Sequence, residues 1–230
     1  MKRKIVTTAD GSKTIQIEEW NEQYHSLHGA IQESYYVFVK QGLHFYSRHV
    51  SKPQENISIL EIGFGTGLNA FITCFETEKS NHKVDYVGVE AYPISSEEVN
   101  ALNYPQLISE QHSGIFNKMH STSWEVIHQI SSHFCLTKRK QFFHEITDKN
   151  KFNLIYFDAF GARVQPELWT ESIFKTMYDA LKNEGVLVTY SAKGSVKRAM
   201  KSVGFTIERL EGPPGKRHML RATKRNANKA

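Results

Sequence analysis

Cysteine is scarce: Cys74 and Cys135 are the only two in 230 residues, and neither sits in a motif spacing. That excludes a disulfide framework and leaves two ordinary reduced thiols. No run of about 18 apolar residues occurs, so no transmembrane helix is expected. The basic start, Met1-Lys-Arg-Lys-Ile5, is not followed by the apolar stretch of a signal peptide, and a cytoplasmic protein is expected. The eleven histidines form no His-Glu-x-x-His and no close Cys/His cluster, so no metal is expected. A glycine–serine elbow is missing, which argues against a Ser/His/Asp hydrolase. Internal repeats and low-complexity tracts are absent as well.

What is present suits one substantial domain with a small N-terminal addition. Hydrophobic residues make up 40% and charged residues 23%, enough for a packed core and against global disorder. The formal charge is +5. Ten Lys/Arg fall between Lys193 and Arg225, against only Glu208 and Glu211. A polyanionic partner is therefore expected to dock on the C-terminal third, with no membrane partner.

Residues 5–17 read as strand, Asp10-Gly11 turn, strand. The following stretch holds Trp20, Tyr24, Tyr35, Tyr36 and Phe38 and is predicted helical from Ser34 to Tyr46. Residues 1–50 form a hairpin and helical lead-in on this reading, and 51–230 the main domain. From residue 57 short apolar runs recur: Ile57–Glu61, Val84–Glu90, Phe152–Asp158 and Gly185–Tyr190. Runs of this kind are strands buried on both faces, which predicts an α/β fold with a parallel sheet between helices. Thr170 is placed as the cap of a helix carrying Ile173, Phe174, Met177 and Leu181, and Ser195 as the cap of another. Phe205–Leu210 and His218–Thr223 are joined by Glu211-Gly-Pro-Pro-Gly-Lys216, too short for anything but an antiparallel hairpin. A helical insertion is expected at about 93–140, with one helix around Ser123–Ser132 and a further strand near Gln141–His144.

Glu61-Ile-Gly63-Phe-Gly65-Thr-Gly67-Leu-Asn69 follows the first of these strands and opens a helix. Glycine lets the backbone turn tightly and a ligand lie against it, and the helix N-terminus can face an anionic group. The spacing is Gly-x-Gly-x-Gly; a dinucleotide fingerprint would need glycine where Leu68 stands. Glu90 ends the next strand, where an acid holds ribose hydroxyls. Glu145 is placed to accept from an adenine amino group. An NAD-type ligand and a purely structural glycine turn are the alternatives. Asp158-Ala-Phe160 closes a strand that is otherwise apolar or aromatic, where an acid is costly to bury without a purpose. The plainer alternative is a helix-capping aspartate.

The glycine loop, Asp158-Ala-Phe160 with Pro166-Glu-Leu-Trp-Thr170, and Gly215-Lys-Arg-His-Met219 resemble one family, as do Glu19-Trp-Asn-Glu22 and Tyr36-Val-Phe38. It is the methyltransferase domain of the bacterial bifunctional tRNA 5-methylaminomethyl-2-thiouridine biosynthesis proteins. The resemblance runs from about residue 7 to residue 223. It implies a Rossmann-like methyltransferase sheet ending in an antiparallel hairpin, S-adenosyl-L-methionine as cofactor, and tRNA as partner. It also implies N-methylation of the aminomethyl group of a wobble 5-aminomethyl-2-thiouridine. Glu61, Gly63, Gly65, Thr66, Gly67, Asn69, Glu90 and Glu145 would then hold the cofactor. Asp158 would orient the amine and receive its proton, or only position it. Tyr36, Phe160, Trp169 and Tyr190 would wall the acceptor pocket, or belong to the core. Lys193, Lys197, Arg198, Lys216 and Arg217 would meet tRNA phosphates, or form a solvated basic face. Two departures stand out: Gly161–Gln165 lacks the family's proline after Asp-Ala-Phe, and His218 replaces an acid. A flavin oxidase domain has no counterpart, so a stand-alone methyltransferase without flavin is expected. Rival readings are a methyltransferase or aminopropyltransferase acting on another amine, and a tRNA-binding module without catalysis.

Overall fold

The computed structural model describes residues 2–49, 56–80 and 82–225. The expected boundary between lead-in and main domain, near residue 50, lies outside them. The chain opens with β1 (Arg3–Thr7) and β2 (Lys13–Ile17), paired antiparallel across the Asp10-Gly11 turn, and a short β3 (Glu22–Gln23). A continuous helical run follows: α1 (Ala30–Ser34), a π-helix (Tyr35–Leu43) and α2 (His44–His49). The helix expected over Ser34–Tyr46 thus lies within this run, wound as π in its middle. Gly42 there brings the backbone against the side chains of Val188 and Tyr156, at 3.0 and 3.2 Å from where a Cβ would stand.

The central sheet begins with β4 (Ile57–Ile62), α3 (Leu68–Glu78) and β5 (Val84–Val89). Helices α4 (Ser96–Ala101), α5 (Tyr104–Ile108) and α6 (Ser113–Ser121) come next, with a 3-10 turn at Glu110–His112 before the last. They lead into β6 (Ile127–Ser131) and β7 (Phe134–Arg139). Beyond lie β8 (Phe152–Phe157), α7 (Glu171–Ala180), β9 (Leu181–Thr189), α8 (Gly194–Ser202), β10 (Thr206–Glu211) and β11 (His218–Thr223). Among the described residues these strands form one eight-stranded sheet in the order β10-β11-β9-β8-β4-β5-β7-β6. The inner strands β9, β8, β4, β5 and β7 run parallel. β11 and β10 close one side antiparallel, and β6 pairs antiparallel with β7 on the other. This is the Rossmann-like sheet with the terminal hairpin that the sequence predicts.

Alternation along the strands builds two cores. Ile57 and Ile59 of β4 with Leu154 and Tyr156 of β8 pack under the π-helix, α3 and α6. Leu60 and Ile62 with Ile155 and Phe157 pack under α7 and α8. All six residues of β8 are buried, as a central parallel strand covered on both faces requires.

Four local expectations are corrected. Residues 123–132 form no helix: Ile127–Ser131 is strand β6, whose hairpin with β7 supplies backbone partners that one buried residue, Ile130, could not justify as a helix stripe. The strand expected near Gln141–His144 lies instead at Phe134–Arg139, and Phe143–Glu145 is a 3-10 turn. Its inward positions are Phe134, Leu136 and Lys138, so a buried lysine breaks the apolar alternation that would have marked it. The cap of α8 is Lys193, with Ser195 inside the first turn. Thr170 does hold the cap position of α7, but its hydroxyl donates to the Glu167 carbonyl and meets Ser172 rather than the helix amides.

Candidate active site

In an open α/β sheet, ligands bind outside the carboxyl ends of the strands where the chain direction across the sheet reverses. Here that point is β4, flanked by β5 on one side and β8 on the other. A cavity of about 600 Å³ opens there, lined by the glycine loop, the ends of β5 and β8, and the segment Trp20–His28 laid across it. The lead-in is fastened in place: Arg3 donates to the carbonyls of Tyr92 and Pro93 and pairs with Glu98, and Arg163 pairs with Glu22 at 2.5 Å.

Gly63 and Gly65 show why the loop is glycine. At Gly63 φ is +89° and a Cβ would stand 2.7 Å from the Asp158 carbonyl; at Gly65 φ is +49° and a Cβ would stand 2.9 Å from the Tyr24 ring. The Gly65 amide donates to Glu90 at 3.0 Å, and the other oxygen of Glu90 accepts from the Tyr92 amide at 2.9 Å. Each carboxylate oxygen has capacity for a further donor, and Glu90 lines the cavity.

Asn69, at the start of α3, ties the site together. Its amide group donates to Glu61 at 2.9 Å and to Asp158 at 2.8 Å, while its carbonyl accepts from the Ser34 hydroxyl. Glu61 is wholly buried behind Asn69 and takes no part in the cavity lining. Burial first, then the neighbouring Asp158 and Glu90 charges, pushes its carboxyl well above the usual carboxylate range. Asp158 does line the cavity. Burial and the nearby Glu33 carboxylate raise it to about 7, against the opposing pull of Asn69 and Lys216. A carboxyl tuned this way sits near the pH at which a proton acceptor is most useful.

Aromatic side chains form the walls beside Asp158. Phe160 meets Tyr24 edge-on at 4.9 Å and Trp20 at 5.7 Å between ring centroids. The Tyr190 hydroxyl donates to the Ala159 carbonyl at 2.8 Å, and Trp169 donates to the Phe160 carbonyl at 2.7 Å. Lys216 reaches into the cavity from the β10–β11 loop, pairs with Glu33 and lies 3.8 Å from the Tyr190 ring centre.

Of the residues singled out by sequence, the fold gathers Gly63, Gly65, Thr66, Asn69, Glu90, Asp158, Phe160, Tyr190 and Lys216 around the cavity. Gly67 caps α3 and is not among the residues lining the cavity. Trp169 is buried behind Phe160. Tyr36 stands apart, its hydroxyl donating to the Glu211 carbonyl. Glu145 is exposed, and its carboxylate accepts from the Phe142 amide within its own 3-10 turn. Lys193, Lys197, Arg198 and Arg217 lie outside the cavity, at the start of α8 and in the hairpin loop. The residues not anticipated are Trp20, Tyr24, His25 and Glu33 from the lead-in, and Tyr92 with Phe142–His144 at the far end. Glu33 left a signal: Ala30, Glu33, Ser34, Val37 and Phe38 repeat at helical spacing and are all buried, so an acid sits on an otherwise core-facing stripe.

Residues 118–225 match a family of S-adenosyl-L-methionine-dependent methyltransferases. The tRNA 5-methylaminomethyl-2-thiouridine biosynthesis bifunctional protein MnmC of Actinobacillus pleuropneumoniae serotype 5b (strain L20) is 27% identical over 224 residues, covering 88% of this chain and 32% of that protein. The chain thus spans about a third of the length of the curated relatives it matches. MNMC2 from Aquifex aeolicus superposes with a TM-score of 0.80 at 26% identity, over 98% of this chain and 71% of that one. Spermidine synthase from Thermotoga maritima shares the fold, with a TM-score of 0.58 at 17% identity over 96% of this chain and 69% of its own. In sequence over residues 118–225 the chain is similar to S-adenosyl-L-methionine-dependent methyltransferases, and over nearly its whole length it is similar in sequence to MnmC and in fold to MNMC2.

Proposed function

We propose that the protein methylates the amine of a 5-aminomethyl-2-thiouridine in tRNA at the wobble position, using S-adenosyl-L-methionine. The observation that carries this reading is that one cavity holds both the glycine loop with Glu90 and an aromatic recess floored by Asp158. The residues fit the cofactor: Gly63 and Gly65 let the loop pack against the Asp158 carbonyl and the Tyr24 ring at the cavity, and Glu90, lining the same cavity, offers a carboxylate acceptor for ribose hydroxyls. When bound, S-adenosyl-L-methionine supplies a sulfonium methyl for in-line transfer to the amine nitrogen, which then sheds a proton.

The chain's own part is alignment and proton handling. A free alkylamine resembles lysine, with a pKa of about 10.4, and is mostly protonated at neutral pH. The apolar recess between Tyr24, Phe160 and Tyr190 disfavours that charge. Asp158, fixed by Asn69 and raised to about 7, takes the proton in its ionised form. Asn69 holds the carboxylate from the glycine-loop side, so cofactor and acceptor share one anchor. Lys193, Lys197, Arg198 and Arg217 supply phosphate contacts around the mouth, since α8 starts at the carboxyl end of β9, the edge on which the cavity opens.

The reading is tested by offering labelled S-adenosyl-L-methionine with three acceptors: tRNA carrying 5-aminomethyl-2-thiouridine, the same tRNA unmodified, and a free polyamine. Label in the first alone is expected. Label in the polyamine would move the assignment to a small-molecule amine methyltransferase, and label in the unmodified tRNA would sink the aminomethyl specificity.

A further inference from the structure

We infer that Glu33 and Lys216 are positioning residues that set the charge state of Asp158, and thereby decide which protonation form of an acceptor amine the cavity takes. The inference rests on the amine-methylating reading. The two residues are 183 apart in sequence, one on α1 and one in the loop between β10 and β11, yet they meet inside the cavity. Glu33 is 6% exposed, so the recess contains a second carboxylate besides Asp158. One of its oxygens pairs with the Lys216 ammonium and the other accepts from the Ser26 amide at 2.8 Å. The ammonium also lies 3.8 Å from the Tyr190 ring centre, the position a cation takes over an aromatic face.

The loop presenting Lys216 is braced. Gly215 has φ +82° and packs so closely on the His28 ring that a Cβ would stand 2.0 Å from it, and the Lys216 amide donates to the Pro213 carbonyl at 2.9 Å. The ammonium is therefore held in place from both ends.

Glu33 and Lys216 act on Asp158 in opposite directions. The remaining groups that face it are Asn69 from α3, Glu61 from β4 with Tyr86 of β5 beyond it, and Tyr190 at the end of β9. Glu61, pushed well above the usual carboxylate range by burial, lies outside the cavity and behind Asn69. Lys216 offsets part of the effect of Glu33, and Asp158 is left as the carboxyl placed to exchange a proton with the amine. With Lys216 gone, two acids would share the recess, Asp158 would hold its proton to higher pH, and the site would favour the unreactive ammonium. With Glu33 gone, the lysine charge alone would favour ionised Asp158 and repel a cationic acceptor.

The test is a carboxyl-carbon NMR titration of Asp158, assigned with D158N, in cofactor-free wild type, K216M, E33Q and the double variant. K216M should move the midpoint up and E33Q down, each by about one pH unit, and the double variant should fall between the two single variants. The acid limb of the kcat/KM profile should shift by the same amounts, with KM and kcat both falling in K216M. An unmoved midpoint in both folded single variants, or shifts of the same sign, would overturn the inference. If a single variant fails to fold, K216R decides: it must titrate as wild type. NMR shifts of the expected sign without methylation of the aminomethyl tRNA would defeat the proposed function alone. Methylation with an unmoved midpoint would defeat this inference alone.

Discussion

Asn69 is the residue on which the site turns. Its amide protons serve two carboxyls and its carbonyl serves Ser34, so removing it strands groups on three elements. Asn69→Ala is expected to destabilise the fold by about 1–3 kcal/mol, the cost of leaving buried polar groups without partners. It should also raise Asp158 further, because the hydrogen bond from Asn69 now lowers it. Asp158 itself has a folded value of about 7 against an ordinary 3.8. The folded state therefore holds a proton that the unfolded state releases between those values, and the stability associated with it declines as pH rises toward 7. Asp158→Asn should accordingly raise the melting temperature at pH 8.5 and do so little at pH 4, while lowering kcat at least 100-fold. A melting gain independent of pH would contradict the burial of a titrating carboxyl. Gly65→Ala places a methyl against the Tyr24 ring at a positive φ. It should weaken S-adenosyl-L-methionine binding at least tenfold by calorimetry; unchanged affinity would show that the loop does not cradle the cofactor.

At the scale of elements, what could be read beforehand depended on whether a segment carries its own pattern. β4, β5, β8 and β9 carry short apolar runs ending in an acid, a glycine loop or an aromatic, and those runs located them, though β9 starts at Leu181, ahead of its run. The hairpin of β10 and β11 followed from a connection too short to cross over. β6 and β7 escaped because their inward positions include Lys138, whose ammonium donates to the His120 carbonyl at the end of α6 at 2.7 Å and lies 5.0 Å from the Trp124 ring centre. Burial lowers that lysine to about 8, a tertiary compensation that local sequence does not announce. The two phenylalanines that drew the strand to Gln141–His144 instead border the cavity, with Phe142 stacked on His144 at a 14° angle between ring planes. Glu145, assigned by its position after a misplaced strand, fell outside the cavity for the same reason. Lys138→Met should leave the fold intact and cost no more than about 1.5 kcal/mol, since a buried ammonium gives way to an apolar chain of similar length. A larger loss by chemical denaturation would mean that the lysine's hydrogen bond to α6 outweighs its desolvation.

At the scale of the molecule, the lead-in and the terminal hairpin meet over the cavity at the carboxyl ends of the strands. Trp20–His28, Glu33 and Lys216 line the cavity together, though the chain's glycine loop lies between them in sequence. Long-range assembly of this kind explains why the glycine loop at the cavity was legible and most of the cavity's other lining residues were not. It also puts the basic start of α8 on the same edge as the cavity mouth. Replacing Lys193, Lys197 and Arg198 with alanine should weaken tRNA binding evenly across tRNA sequences and reduce its salt dependence by about two to three counterions. Affinity for S-adenosyl-L-methionine should be unaffected. An unchanged salt slope would remove this face from the tRNA interface.

The most direct measurement is the mass of the modified nucleoside. The protein is incubated with S-adenosyl-L-methionine and tRNA bearing 5-aminomethyl-2-thiouridine, the RNA is digested, and wild type is compared with Asp158→Ala. The predicted result is a gain of one methyl on the aminomethyl nucleoside with wild type and its loss with the variant. An unmodified nucleoside from a wild-type protein that binds the cofactor, or undiminished product from the variant, would contradict the account.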